Sequence, residues 1–178
     1  FWNTATGDQL RIYADFTSEV VRVAFSPDGI RLAFATGDGL HVWQLDFQIV
    51  EGKVTVVNRE VLAIPEAGGA SFNSDGTQLA APSLSGAGGN AIKLWDAATG
   101  RELLTLLGHT GWVMGVAISP DGQHLASASL DGTVKVWSLT PGQEDVVVTA
   151  RGAGYGTRLA YNPIAAEFAT NGGDGTAT

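Results

Sequence analysis

Short apolar runs, each closed by a glycine-bearing turn, recur along this chain. Val21-Arg22-Val23-Ala24-Phe25 and the run from Val113 to Ile118 are rich in β-branched and aromatic residues, which suit a pleated, half-buried surface. Ser-Pro-Asp-Gly follows each of them. Proline fixes φ, the aspartate side chain caps its own turn, and glycine accepts positive φ. A second strand is predicted over Gln123 to Ala128 and a second turn at Asp131-Gly132. In the third strand, Thr133-Val134-Lys135-Val136-Trp137, side chains alternate outward and inward. A fourth, weaker strand is expected at about Leu103 to Leu107 and again at Val146 to Ala150.

This pattern has a period longer than any one element. Trp2, Trp43, Trp95 and Trp137 close similar motifs at spacings of 41, 52 and 42 residues. A second series holds the same register: Phe25-Ser26-Pro27-Asp28-Gly29, Phe72-Asn73-Ser74-Asp75-Gly76, Ile118-Ser119-Pro120-Asp121-Gly122 and the degenerate Tyr161-Asn162-Pro163. An apolar residue follows seven positions after the first member of each, at Leu32, Leu79, Leu125 and Phe168. Four antiparallel strands per unit make one sheet. A single sheet cannot bury both of its faces, so successive sheets must stack around an axis.

The segment from Gly108-His109-Thr110 to Val136-Trp137-Ser138 resembles a complete WD40 repeat, with Trp-Ser in place of Trp-Asp. The resemblance covers essentially the whole chain. It implies an all-β fold, a partial β-propeller of four-stranded antiparallel blades making about half of a seven- or eight-bladed ring. Units are expected at 1–13 (the tail of a preceding repeat), 14–45, 46–96 (with insertions), 97–138 (the best match) and 139–178 (truncated). Both ends are expected to fall inside a repeat, which makes the remaining blades of the same chain its first partners. The Ser-Pro-Asp-Gly and Asp-Gly-Thr runs resemble those of bacterial WD-repeat proteins.

Ser127, His109 and Asp131 are the residue types of a hydrolytic triad. A nucleophilic serine, however, needs an exposed elbow such as Gly-x-Ser-x-Gly, which is absent around Ser127. The resemblance implies a structural tetrad of His109, Ser127, Asp131 and Trp137 instead, because a buried indole N–H, hydroxyl, imidazole and carboxylate need one another as partners. At the matching positions the first unit has Phe16, Phe34, Asp38 and Trp43. The unit ending at Trp95 has Ala63, Ala81 and Gly89, and the tail unit has Gly152, Thr170 and Asp174. Only the blade of Trp137 is expected to carry the full network.

Partner-binding positions in this family lie at the start of the first strand and just before the turn aspartate. By resemblance these are Trp112, Met114 and Leu130 in the best repeat, Glu19, Val21 and Gly37 in the first, Glu66 and Gly68 in the second, and Tyr155 and Thr157 in the tail unit. Trp112 stands outside the Trp-motif series. Beside Met114 and Leu130 it would form an apolar patch, and aromatic and Met side chains are enriched at interface centres. The stretch Asp46 to Lys53 is expected to extend an outer hairpin through Val54 to Val57, with Phe47 and Ile49 on the side rim.

Composition then narrows the function classes. Apolar residues at 44% and charged residues at 16% exclude intrinsic disorder, and 24 glycines without a three-residue period exclude collagen. The absence of cysteine removes disulfides, thiolate metal sites and a cysteine nucleophile. No window of 18 apolar residues marks a membrane span. A net charge of −8 has the wrong sign for nucleic-acid phosphates or an anionic membrane. Part of that charge is architectural, since six of the eleven aspartates precede glycine in turns.

Three weaker signals dissolve on inspection. Gly86-Ala87-Gly88-Gly89-Asn90-Ala91 has dinucleotide-loop spacing but leads into a strand, where the chemistry needs a helix. Gly172-Gly173-Asp174-Gly175 resembles a calcium-binding nonapeptide only once, and His41 and His124 lack metal-ligand spacing. The expectation is a cytoplasmic, non-catalytic protein–protein interaction scaffold with no cofactor and no metal. The alternative is a partner-binding propeller of a multidomain signalling ATPase or kinase whose catalytic domain lies outside these residues.

Overall fold

The computed structural model describes residues 1–13, 18–50, 53–84, 90–140, 146–148, 159–162 and 167–170. All of its named elements are strands. The first antiparallel sheet runs β1 (Arg22–Phe25), β2 (Arg31–Thr36), β3 (Gly39–Val50), β4 (Lys53–Pro65). The second runs β5 (Ser71–Phe72), β6 (Gln78–Pro82), β7 (Ile92–Asp96), β8 (Glu102–Leu106). The third runs β9 (Val113–Ile118), β10 (His124–Ser129), β11 (Val134–Ser138), β12 (Val146–Val148). A pair, β13 (Leu159–Tyr161) and β14 (Phe168–Thr170), begins a fourth. The first strands β1, β5, β9 and β13 succeed one another along the inner edge of the stack. This is a partial β-propeller.

The sheets are offset from the sequence units. β4 lies in the unit 46–96 but completes the first sheet, and β8 lies in 97–138 but completes the second. Each sequence unit thus supplies the outer strand of the blade before it. Asp46 to Lys53 runs through the end of β3 into β4, with pairing out to Val50↔Lys53, which gives the extended hairpin. Phe16, Gly89, Gly152, Tyr155, Thr157 and Asp174, with the glycine stretches at 86–89 and 172–175, lie outside the described residues.

The turns after β1 and β9 are built identically. Ser26 Oγ donates to Asp28 Oδ1, which also accepts the Ile30 N–H at 3.1 Å; Ser119 Oγ donates to Asp121 Oδ1, which accepts the Gln123 N–H at 2.9 Å. These bonds hold Asp28 and Asp121 below the usual carboxylate range, the serine hydroxyl contributing most. Residues 1–10 repeat another turn. Gly7 N–H donates to Asn3 O and Asn3 N–H to Asp8 O, just as Gly100 N–H donates to Asp96 O and Asp96 N–H to Arg101 O. Asn3 Oδ1 and Asp96 Oδ1 each cap the two amides that follow.

The core lies between sheets. Ala33, Leu40, Val42 and Ile64 of the first sheet meet Leu79, Ala81 and Trp95 of the second. The opposite face of the second, Ala80, Ile92 and Leu94, meets Val113, Val116, Ile118, Leu125 and Trp137 of the third. A third cluster, Leu32, Phe34, Leu45 and Val56, is covered by Phe1 and Leu10. Middle strands therefore lose their alternation: β2, β6 and β10 are buried on successive residues. That is how a strand covered on both faces reads.

Two glycines with positive φ separate backbone strain from crowding. Gly122 has φ +70° with open space where a Cβ would go, whereas at Gly39 (φ +143°) a Cβ would lie 2.5 Å from Ile64 O. Gly122→Ala is expected to cost about 1–2 kcal/mol for the left-handed conformation alone. Gly39→Ala adds a collision with backbone and is expected to cost clearly more. Urea midpoints at unchanged slope check the order, and equal losses would contradict it.

Candidate functional site

The network in the third sheet begins with strand register. Leu125↔Trp137 and Ser127↔Lys135 pairing brings Ser127, on β10, under the indole on β11. Trp137 Nε1–H donates to Ser127 Oγ at 2.7 Å, and Ser127 Oγ lies 2.8 Å from His109 Nε2. His109 Nδ1 lies 2.7 Å from Asp131 Oδ2. The structure thus brings together all four members of the sequence-derived tetrad.

Protonation follows from the partners. An ionised carboxylate only accepts, so Nδ1 carries the proton, and the Ser127 hydroxyl, receiving the indole hydrogen, donates its own to a neutral Nε2. Burial pushes the His109 pKa below its ordinary value, outweighing the opposing pull of Asp131. Burial would raise the Asp131 carboxyl, but hydrogen bonds from Thr133, the Thr110 N–H and His109 hold it far below the usual carboxylate range. Geometrically this is a Ser–His–Asp array. Chemically it is closed: Ser127 is fully buried, His109 is buried, and the serine oxygen already receives the indole.

The matching positions elsewhere replace hydrogen bonds by packing. In the first sheet Phe34 meets Trp43 edge-on at 4.7 Å and stacks on His41 at 5.2 Å. In the second, Ala81 is paired in the register of Ser127, and the buried Trp95 indole N–H has no acceptor among the described residues. His41 lies 2.6 Å from Glu60 and 3.5 Å from Asp38, and His124 opens β10. Among the described residues no cluster of three His, Asp or Glu side chains could hold a metal ion.

Asp131, its side chain nearly covered, also ties down the loop above it. Its Oδ2 accepts the Thr110 N–H at 3.0 Å, Ser129 Oγ donates to Gly111 O at 2.9 Å, and the Leu130 N–H donates to Trp112 O at 2.8 Å. A Cβ on Gly111 would lie 2.7 Å from Asp131 N, so only glycine lets the two loops close. The result is a fixed apolar patch at the top of the blade: Trp112 is 56% exposed, Leu130 41% and Met114 37%. Glu19, Glu66, Val21 and Gly37 are exposed, whereas Gly68 is buried with its N–H on Pro82 O.

Sequence reasoning missed the supports of this patch. Thr133 could have been found, because Asp131-Gly132-Thr133 repeats Asp75-Gly76-Thr77, where the threonine also bonds back to the aspartate. Arg22 carried no signal. Its methylenes lie across Gly69, where a Cβ would be 2.1 Å from Arg22 Cδ, and its guanidinium donates to Met114 O. One side chain of the first sheet thereby spans the second and reaches the third.

Comparison with known proteins agrees with the fold. The family model described as WD domain, G-beta repeat matches residues 100–138. Nuclear distribution protein PAC1 of Arthroderma otae is 32% identical over 154 residues, covering 78% of this chain and 33% of that protein. Lissencephaly-1 homolog 1 of Paramecium tetraurelia is 50% identical over 48 residues, covering 27% of this chain and 12% of that protein. The crystal structure of RRP9 WD40 repeats superposes with a TM-score of 0.72 at 23% identity, covering 94% of this chain and 49% of that one, a likeness of fold. The chain spans about a third of the length of the relatives it matches over most of its residues. None of those named is bacterial, so the expected bacterial build finds no support in them.

The network makes two predictions. A histidine with its folded pKa below the unfolded 6.5 contributes stability above that value and loses it as pH falls through the window beneath. His109→Ala is expected to cost about 1–3 kcal/mol at neutral pH for the partners left unpaired. It should also remove part of the loss of stability that the parent shows on acidification below 6.5, as read from urea midpoints across that range. In the second sheet, Ala81→Ser offers Trp95 the acceptor it lacks, and a gain of about 1 kcal/mol is expected. A lower melting midpoint would count against that placement.

Proposed function

This chain is built from WD40 repeats stacked as part of a β-propeller, and from that premise we propose that it is a non-catalytic scaffold holding protein partners on the face of Trp112, Met114 and Leu130. The observation that carries the reading is the fixed exposure of this patch. Large apolar side chains at a loop would ordinarily fold down onto the blade. Here the backbone of residues 110–112 is bonded to the 129–131 turn, so on binding only the Trp112 side chain remains to be ordered. Aromatic anchors on an ordered backbone supply a large share of the energy of an interface.

The hydrolase alternative fails on access, since Ser127 has neither exposure nor a free lone pair aimed at solvent. A second contact surface lies at the other end of the stack. On the first sheet Val23 and Phe25 are exposed, and Phe1 packs edge-on to Phe25 at 6.0 Å while Tyr13 packs on Trp43 at 4.9 Å. We read this face as the seat of another blade of the same chain. Residues 1–13, shaped like the turn at 96–101, already occupy part of it.

Trp112→Ala in the full-length protein is expected to weaken partner capture at least about tenfold, as for an interface anchor. The melting midpoint should change little, because the indole is more exposed than buried. Undiminished capture in quantitative pull-down would remove the patch from the interface.

A further inference from the structure

Resting on the interaction face proposed above, we infer that the segment it receives is a basic peptide: a large apolar side chain flanked by Lys or Arg. The apolar half of the evidence is Trp112, Met114 and Leu130, which Arg22 of the first sheet joins by reaching across Gly69 to Met114 O. The charged half is the set of carboxylates at the matching places on the two preceding sheets, where Glu19 and Glu66 stand six residues before Phe25 and Phe72 as Trp112 stands six before Ile118. Gly37 N–H donates to Ser18 Oγ at 2.9 Å, which sets Glu19 against the 36–39 turn that carries Asp38. Gly39 packs against Ile64 O and Glu66 N, which sets Glu66 on the other side of the same turn.

All three carboxylates are exposed. Asp38 is engaged by Thr36 and His41, but Glu19 and Glu66 have no side-chain hydrogen bond or ion pair among the described residues. Glu66 is also the one described non-glycine residue with positive φ, at 59°, a conformation that glycine would adopt without strain. Arg22, within this group, donates to the neutral Met114 O and keeps its charge, which leaves three carboxylates against one guanidinium. An apolar patch with an excess of carboxylates at the matching places repels an acidic segment and leaves a neutral one without electrostatic gain. A basic segment gains attraction and faster encounter, and exposed charges make that gain sensitive to salt.

The test is a fluorescence-polarisation titration of the full-length protein with labelled peptides that share a central Leu-Phe pair. The pair is flanked by Lys/Arg, by Ser/Gly or by Glu/Asp. The Lys/Arg peptide is expected to bind at least about tenfold tighter than the Glu/Asp one, equivalent to ~1.4 kcal/mol, with the preference shrinking as salt is raised. Glu19→Gln with Glu66→Gln should narrow that preference and leave the Ser/Gly peptide unaffected. Equal affinities, a preference for the acidic peptide, or no binding in any arm overturns the inference. Should Trp112→Ala weaken the Ser/Gly peptide while the glutamate substitutions are silent, the face stands and its charge preference falls. Should the glutamates matter and Trp112 not, the inference loses the patch it rests on.

Discussion

Every sheet in this chain must be covered on both faces, and this single requirement shapes the rest of the molecule. A four-stranded meander has one row of side chains above and one below. With no helix among the described residues, only another sheet can bury either row. The consequence is visible in the choice of residues at the contacts. Small side chains on the middle strand, Ala33, Ala80 and Ala81, let the next sheet approach closely, and the large Trp95 and Trp137 on the third strands fill the space that remains. The tryptophan period in the sequence is the footprint of this packing.

The same constraint explains the polar network. Ser127 sits in a strand covered on both faces, where a lone hydroxyl would be a cost and an indole N–H beside it another. Closing the chain from Trp137 through Ser127 and His109 to Asp131 satisfies each group. It also ends on a carboxylate at the sheet's upper edge with lone pairs to spare. Those lone pairs take the Thr110 amide and fix the loop that presents Trp112. Interior bonding and surface display are thus two ends of one hydrogen-bonded chain, so a change at His109 acts on the outer loop as well as on the core.

How much of this was legible in the sequence follows from which features are local. Turns such as Ser119-Pro120-Asp121-Gly122 write their chemistry into consecutive residues, and the strands they punctuate were placed to within a residue or two. The tetrad was legible only through the resemblance of residues 108–138 to a WD40 repeat, since no other unit of this chain repeats its four residue types. The path of Arg22 over Gly69 was not, because it joins residues of three different sheets and depends on an absent Cβ rather than on a side chain. The closing of Gly111 onto Asp131 escaped for the same reason: a glycine marks room, and the sequence does not say what fills it.

Charge shows the difference between architecture and display most plainly. A net −8 suggests an acidic surface, yet Asp28, Asp75 and Asp121 are each spent on the hydroxyl and amide of their own turn. Such carboxylates are present wherever the turn is, and their partners already offset much of their field. The carboxylates of Glu19 and Glu66 close no turn of their own among the described residues, and nothing in the packing of the sheets requires an acid at either position. Glycine would ease the backbone at residue 66, and any polar residue would serve at residue 19. Acidity that folding does not need, at the places that match an apolar patch held open by the fold, is where a partner's chemistry rather than the blade's has its say.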